Sequence, residues 1–187
     1  DILAPGERRR VLVELNDTAH AVDENATVVS LYEAQVAATP DATAVTFGAE
    51  SLTYAEFAAK VNRLARHLIS VGVGPESLVA LGIARSLDML VAMYAVQAAG
   101  GGYVPLDPDH PAERIAHVLD TAAPVCVLAA DGFDVTADVP VFAVETIDTA
   151  AYSAEPITDA ERLGALVPSN AAYVLFTSGS TGRPKGV

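Results

Sequence analysis

Residues 78–106 constrain the fold of this chain more than any other stretch. Leu78–Ile83 is a continuous apolar run, of the kind found in strands covered on both faces. Ser86 then offers a side-chain oxygen to begin a helix over Leu87–Ala99, and that helix is apolar nearly all round. A helix without a polar face belongs inside. Gly100-Gly101-Gly102 ends it, and Tyr103-Val104-Pro105-Leu106 leads the chain back. Such a unit fits an α/β layer structure better than a bundle or a sandwich.

The flanking segments continue the alternation. Thr27 can cap a helix over Val28–Ala38, which Pro40 ends. Thr43–Phe47 is β-prone, and Gly48-Ala49-Glu50 turns the chain back through Ser51-Leu52. Thr53-Tyr54-Ala55-Glu56 is a capping box. The helix it opens puts Phe57, Val61, Leu64 and Leu68 on one stripe, and Gly72 and Gly74 stop it. Pro111 suits the first turn of a helix to about Ala123, with Ile115, Val118, Leu119 and Ala122 facing inward. Val125–Leu128, Val139–Val144 and Ala171–Phe176 read as strands, and residues 145–169 as irregular. The pattern predicts a layered α/β fold: a largely parallel sheet flanked by helices on both faces.

Composition limits the partners. A formal charge of −13 over 187 residues, with Arg8-Arg9-Arg10 as the one basic run, makes nucleic acid a poor partner. The 51% apolar content argues for a real core. Cys126 is the single cysteine, so no intrachain disulfide can form, and Val125-Cys126-Val127-Leu128 reads as core. The longest apolar run, around Leu87–Gly102, is broken by Asp88 and Gln97. No membrane span and no signal peptide are expected, and a cytoplasmic setting fits.

The chemistry gathers in residues 177–186. The apolar Ala171–Phe176 empties into Thr177-Ser178-Gly179-Ser180-Thr181-Gly182-Arg183-Pro184-Lys185-Gly186. Glycines let backbone N–H groups approach an anion, hydroxyls add donors, and Lys185 adds a mobile positive charge. The loop is not of the Walker type, because Lys185 follows proline and no Ser or Thr follows it to meet a magnesium ion. Pro184 and Gly186 also argue against a helix starting at the lysine. Gly-x-Gly-x-x-Gly is absent as well.

The string Thr-Ser-Gly-Ser-Thr-Gly-x-Pro-Lys-Gly resembles the phosphate-binding motif of adenylate-forming enzymes. Leu52-Thr53-Tyr54-Ala55-Glu56-Phe57 resembles their first core motif. Ala98–Pro108, continuing through His110-Pro111-Ala112-Glu113-Arg114-Ile115, resembles the second. The Pro-Leu-Asp-Pro-x-x-Pro-x-x-Arg-Ile form is similar to nonribosomal peptide synthetases. Glu7-Arg8-Arg9-Arg10-Val11-Leu12 with Leu15-Asn16-Asp17-Thr18 resembles the linker from an upstream condensation domain; on its own it equally suits a plain basic-then-apolar helix.

The resemblance implies residues 1–26 as that linker and 27–187 as part of the large N-terminal subdomain of an adenylation domain. It implies Thr177, Ser178, Gly179, Ser180, Thr181, Gly182 and Lys185 as ATP phosphate contacts. It also implies an amino acid activated to an aminoacyl-adenylate with release of pyrophosphate, then passed to a phosphopantetheine thiol on a carrier domain. The Mg2+ ligand, the adenine-binding loop, the substrate-amine Asp and the catalytic Lys are expected downstream. No catalytic residue is expected within the chain, and the chain alone is expected to be inactive. A small MbtH-like helper protein is an expected partner, near Ala112–Ala122. An acyl-CoA or aryl-acid ligase shares the loop, and a non-catalytic domain that binds a helper is a further alternative.

Other residues read as structural. His20, His67, His110 and His117 share no metal-ligand spacing, and the two helical ones, His67 and His117, are expected at surface or edge positions. Asp107 and Asp109 suit a turn and cap, and Tyr54 and Tyr103 suit packing. Asp88 complements a helix dipole in its first turn, and Arg85 is a weak candidate for a charged contact.

Overall fold

Polar side chains of Thr27, Thr53 and Ser86 cap helices in the computed structural model, which describes residues 3–177 and 184–187. The basic-then-apolar opening is helical: α1 spans Pro5–Leu12, the Ala4 amide donates to Glu7 Oε2 at 3.0 Å, and a 3-10 turn follows at Glu14–Asn16. Thr27 Oγ1 accepts from the Ser30 amide at 3.0 Å and opens α2, Val28–Ala38. The hairpin of β1, Thr43–Phe47, and β2, Glu50–Thr53, is antiparallel. The capping box then closes from both sides. Thr53 N donates to Glu56 Oε2 at 2.9 Å, and Glu56 N donates to Thr53 Oγ1 at 3.2 Å. It opens α3, Tyr54–Ser70.

The strand β3, Leu78–Gly82, leads into α4, Leu87–Ala99, capped by Ser86 through the Met89 amide at 3.1 Å. Next come β4, Gly102–Pro105, and α5, Ala112–Ala122, with Pro111 at its N-cap. The last strands of the main sheet are β5, Cys126–Ala129, and β6, Val141–Ala143. The four-stranded order is β4-β3-β5-β6, and every pair is parallel. The sequence expectation of a layered parallel sheet therefore holds.

Strand alternation divides the core in two. Val79 and Leu81 of β3, with Cys126 and Leu128 of β5, face α3 and α4. Ala80, Val104 and Val127 face the other way, onto Ile115, Val118 and Leu119 of α5. The α3 stripe of Phe57, Val61, Leu64 and Leu68 is buried, as its spacing predicts. Cys126 is buried, and loss of hydration raises its thiol pKa to about 11. It is a core residue, as its apolar neighbours predict. Asp88 sits exposed in the first turn of α4.

The glycine triplet does more than end a helix. Gly100 takes φ 101°, the left-handed conformation that closes α4. Gly102 is needed for closeness: a Cβ there would stand 2.9 Å from the Ala171 carbonyl oxygen. Residues 171–174 lie against the free edge of β4, through Tyr103 N to Ala172 O at 3.2 Å and Val174 N to Tyr103 O at 2.9 Å. Gly102→Ala is expected to push this segment off β4. Faster hydrogen exchange at the Tyr103 and Val174 amides is the expected readout, and unchanged protection would rule out the steric argument.

Two expectations need correction. Ala171–Phe176 is not one continuous strand. Its first part makes an isolated parallel bridge, Tyr103 to Tyr173, and the regular strand β7 is Phe176–Thr177 alone. The run is shared between two partners, so neither ladder extends along it. His67 is also further in than an edge position. Its ring meets Phe142 edge-on at 5.1 Å, its Nε2 is buried, and desolvation lowers its pKa.

The irregular segment 145–169 is fastened by two arginines. Arg66 Nη1 donates to the carbonyls of Ser153 at 2.8 Å and Glu155 at 2.7 Å. Its Nη2 reaches Pro156 O at 3.2 Å, and its Nε reaches Glu161 Oε1 at 2.7 Å. Arg162 Nε donates to Ala98 O at 2.9 Å, near the end of α4. Between them the segment's own Ile157 is buried in the core.

Candidate functional site

The chain order of the sheet creates a crevice. From β3 the chain crosses one face through α4 to reach β4, and from β4 it crosses the other face through α5 to reach β5. The connections leaving β3 and β4 therefore diverge, and the gap outside their C-terminal ends is where α/β sheets bind ligands. A cleft of about 800 Å³ lies there. Ile83 and Arg85 line it after β3, Asp107 and Arg114 line it after β4, and Met93 and Thr177 complete its wall.

The candidate loop begins at this cleft, with Thr177. Its feet are β7 and β8, Lys185–Gly186, which pair antiparallel. Thr177 is the register partner of Lys185, and Phe176 is the partner of Gly186. Direct partners in an antiparallel pair carry their side chains on one face. Thr177, which lines the cleft, and Lys185, eight residues away in the sequence, are thus brought side by side. One hydrogen-bonded step below, Leu175 and Val187 exchange amide bonds at 2.9 and 3.0 Å. Lys185 lies in a strand, which agrees with the sequence argument against a helix there. Ser178, Gly179, Ser180, Thr181 and Gly182 lie outside the described residues.

Helix α5 reaches the same hairpin. His117 Nε2 lies 3.1 Å from Pro184 O, and its ring meets Phe176 edge-on at 6.4 Å. Sequence reasoning gave His117 only an edge position; the contact spans 67 residues of chain, and no local signal announces it.

The remaining polar residues of the cleft shape its rim. Asp109 N donates to Asp107 Oδ1 at 3.0 Å, so Asp107 serves the turn, as its spacing predicts. His110 Nε2 lies 3.8 Å from Asp107 Oδ2. Arg85 and Arg114 put positive charge on the rim of an otherwise acidic protein. Among the described residues no group of three or more His, Cys, Asp or Glu could hold a metal ion. No helix among them is long and apolar enough to cross a membrane.

The AMP-binding enzyme family pattern matches residues 32–187. The whole chain is 42% identical over 190 residues to a linear gramicidin synthase of Brevibacillus parabrevis, and covers 4% of that protein. It is also 42% identical over 195 residues to a dimodular nonribosomal peptide synthase of Bacillus subtilis (strain 168), of which it covers 8%. Among solved structures, the nonribosomal peptide synthetase FmoA3 (S1046A) in its α-methyl-L-serine-AMP bound form superposes with a TM-score of 0.83 at 34% identity. That match covers 96% of this chain and 20% of the other. The N-terminal subdomain of Klebsiella oxytoca NpsA matches with a TM-score of 0.76 at 25% identity, over 88% of this chain and 42% of that one. The chain thus spans less than a tenth of the length of these two sequence relatives.

Proposed function

The chain belongs to the AMP-binding enzyme family, and from that premise we propose that it supplies the phosphate end of an amino-acid-activating site in a nonribosomal peptide synthetase adenylation domain. The observation that carries this reading is the 42% identity to two peptide synthetases across the whole chain. The pairing of Lys185 with the cleft-lining Thr177 supports it from the structure.

The reaction follows from the charges. An amino-acid carboxylate attacks the α-phosphorus of ATP, a carboxyl–phosphate bond forms, and the bond to the β-phosphate oxygen breaks. Pyrophosphate leaves as an aminoacyl-adenylate forms. Carboxylate and triphosphate repel each other, so fixed donors and a cation must offset charge on the leaving group. Thr177 and Lys185 serve that role, together with Ser178, Gly179, Ser180, Thr181 and Gly182. The aminoacyl group then passes to a phosphopantetheine thiol of a carrier domain. Mg2+ would be held by residues outside this set.

The domain reading goes with it. Residues 1–26 act as the linker from a condensation-type domain, and 27–187 belong to the adenylation domain. Val11, Leu12, Val13 and Leu15 are exposed along that linker, which suits a segment that neighbours another domain. An MbtH-like helper would meet the solvent face of α5, where Glu113, Ala116 and Asp120 are exposed.

The test is amino-acid-dependent exchange of pyrophosphate into ATP by the longer protein, with and without an MbtH-like protein. Exchange with one or a few amino acids is expected. Exchange with fatty or aryl acids alone would instead favour an acyl-CoA or aryl-acid ligase. Failure to bind ATP would favour a non-catalytic domain.

A further inference from the structure

The phosphate loop is tied to the sheet at a point its own sequence does not reveal. Helix α5 is fixed on the second face of the sheet by Ile115, Val118 and Leu119. His117 projects from that anchored helix toward the loop hairpin. A carbonyl oxygen only accepts, so the 3.1 Å contact requires His117 Nε2 to carry hydrogen and donate to Pro184 O. Pro184 directly precedes β8, one residue before Lys185. The same imidazole meets Phe176 of β7 edge-on. Phe176 directly precedes Thr177, and a single ring therefore touches both feet of the loop.

We propose that His117 is a positioning residue for the phosphate loop, holding Pro184 and Phe176 so that the cleft-lining Thr177 and its partner Lys185 keep a fixed place. The proposal rests on the reading of that loop as the ATP phosphate site. Its physical content is pre-organisation. The hairpin has two short strands, and two-stranded pairs are marginal by themselves. A donor and an aromatic edge from a packed helix supply the missing anchor. Without them, ATP binding must itself order the hairpin, and apparent ATP affinity falls by that cost.

The experiment uses the longer protein and the variants His117→Phe and His117→Gln. Phe keeps a ring against Phe176 but cannot donate. Gln keeps an amide donor at a similar reach. In His117→Phe, hydrogen exchange at Leu175, Lys185 and Val187 is expected to speed up roughly fivefold, matching the loss of one net hydrogen bond. KM for ATP is expected to rise roughly fivefold, with kcat and the amino-acid KM within about twofold, and His117→Gln is expected to restore most of both. Unchanged exchange in His117→Phe would overturn the anchor. Faster exchange with an unchanged ATP KM would overturn the positioning role. So would a general fall in kcat and thermal stability that Gln does not rescue, since that marks a packing residue. Failure of the unsubstituted protein to bind ATP would instead overturn the reading of the loop, while the exchange rates still report on the anchor.

Discussion

Lys185→Ala in the longer protein is expected to lower amino-acid-dependent pyrophosphate exchange about a hundredfold or more, because removing one preorganised charge-stabilising donor typically costs a factor of about 10²–10³. The geometry makes the lysine specific. It is the register partner of Thr177, which lines the cleft, and Pro184 before it is held by His117. Lys185 is exposed, so the fold should be indifferent to its loss, with stability unchanged to within about 0.5 kcal/mol. Lys185→Arg should recover only part of the activity, since a planar guanidinium does not reproduce a compact ammonium. The measurements are exchange rates and a thermal melt of each variant. Less than a tenfold loss in Lys185→Ala would remove the lysine from the proposed site.

The largest expected effect on stability lies far from the cleft, at Arg66. Its side chain is 13% exposed and serves four acceptors: the carbonyls of Ser153, Glu155 and Pro156 and the carboxylate of Glu161. Arg66→Ala leaves those carbonyls without their donor and opens a path to buried Ile157. The expected cost is about 2–4 kcal/mol, since each hydrogen bond to a charged group contributes about 1.5–3 kcal/mol and the effects overlap. The cost should appear first as local opening. Protection of the amides at residues 153–161 should fall roughly thirtyfold or more, while α4 and β3 respond less. Equal protection in wild type and variant would show that the segment holds by itself.

Acid should act on the same clamp. Backbone donation from Thr158, then the Arg66 guanidinium, hold the Glu161 carboxyl down at about 2. An acid with a depressed folded pKa stabilises the fold above its unfolded value and loses that contribution as it protonates. The 153–161 segment should therefore loosen as pH falls from about 4.5 towards about 2. Glu161 is partly exposed, so screening reduces the effect, and no comparable change is expected near neutrality. In Arg66→Ala the acid-induced loosening should shrink but persist, because Thr158 still donates to Glu161 at 2.9 Å. A variant with an unaltered acid profile would mean that Arg66 and Glu161 are not coupled.

Much of this molecule was legible because its signals are local. Thr27, Thr53 and Ser86 announce helix starts within four residues of the bonds they make. The stripe from Phe57 to Leu68 announces a buried face. Leu78–Ile83 announces a strand covered on both sides, and the core clusters divide across that strand. The loop order itself pointed to phosphate. The misread parts have a common origin in choice of partner. The run from Ala171 to Phe176 has the composition of one strand, but Tyr103 takes one end and Val187 the other.

The sequence by itself determined the parallel α/β core, the cap positions and the chemical character of the loop, since hydrophobic period, capping and turn chemistry act over a few residues. Tertiary structure alone decided that Thr177 faces Lys185, that His117 reaches Pro184 and that Arg66 fastens residues 153–161. Those contacts join residues distant in the chain, and hydrogen-bond donors such as arginine and histidine fit many acceptors equally well. Only the packed sheet, by fixing where each helix and hairpin lies, selects among them.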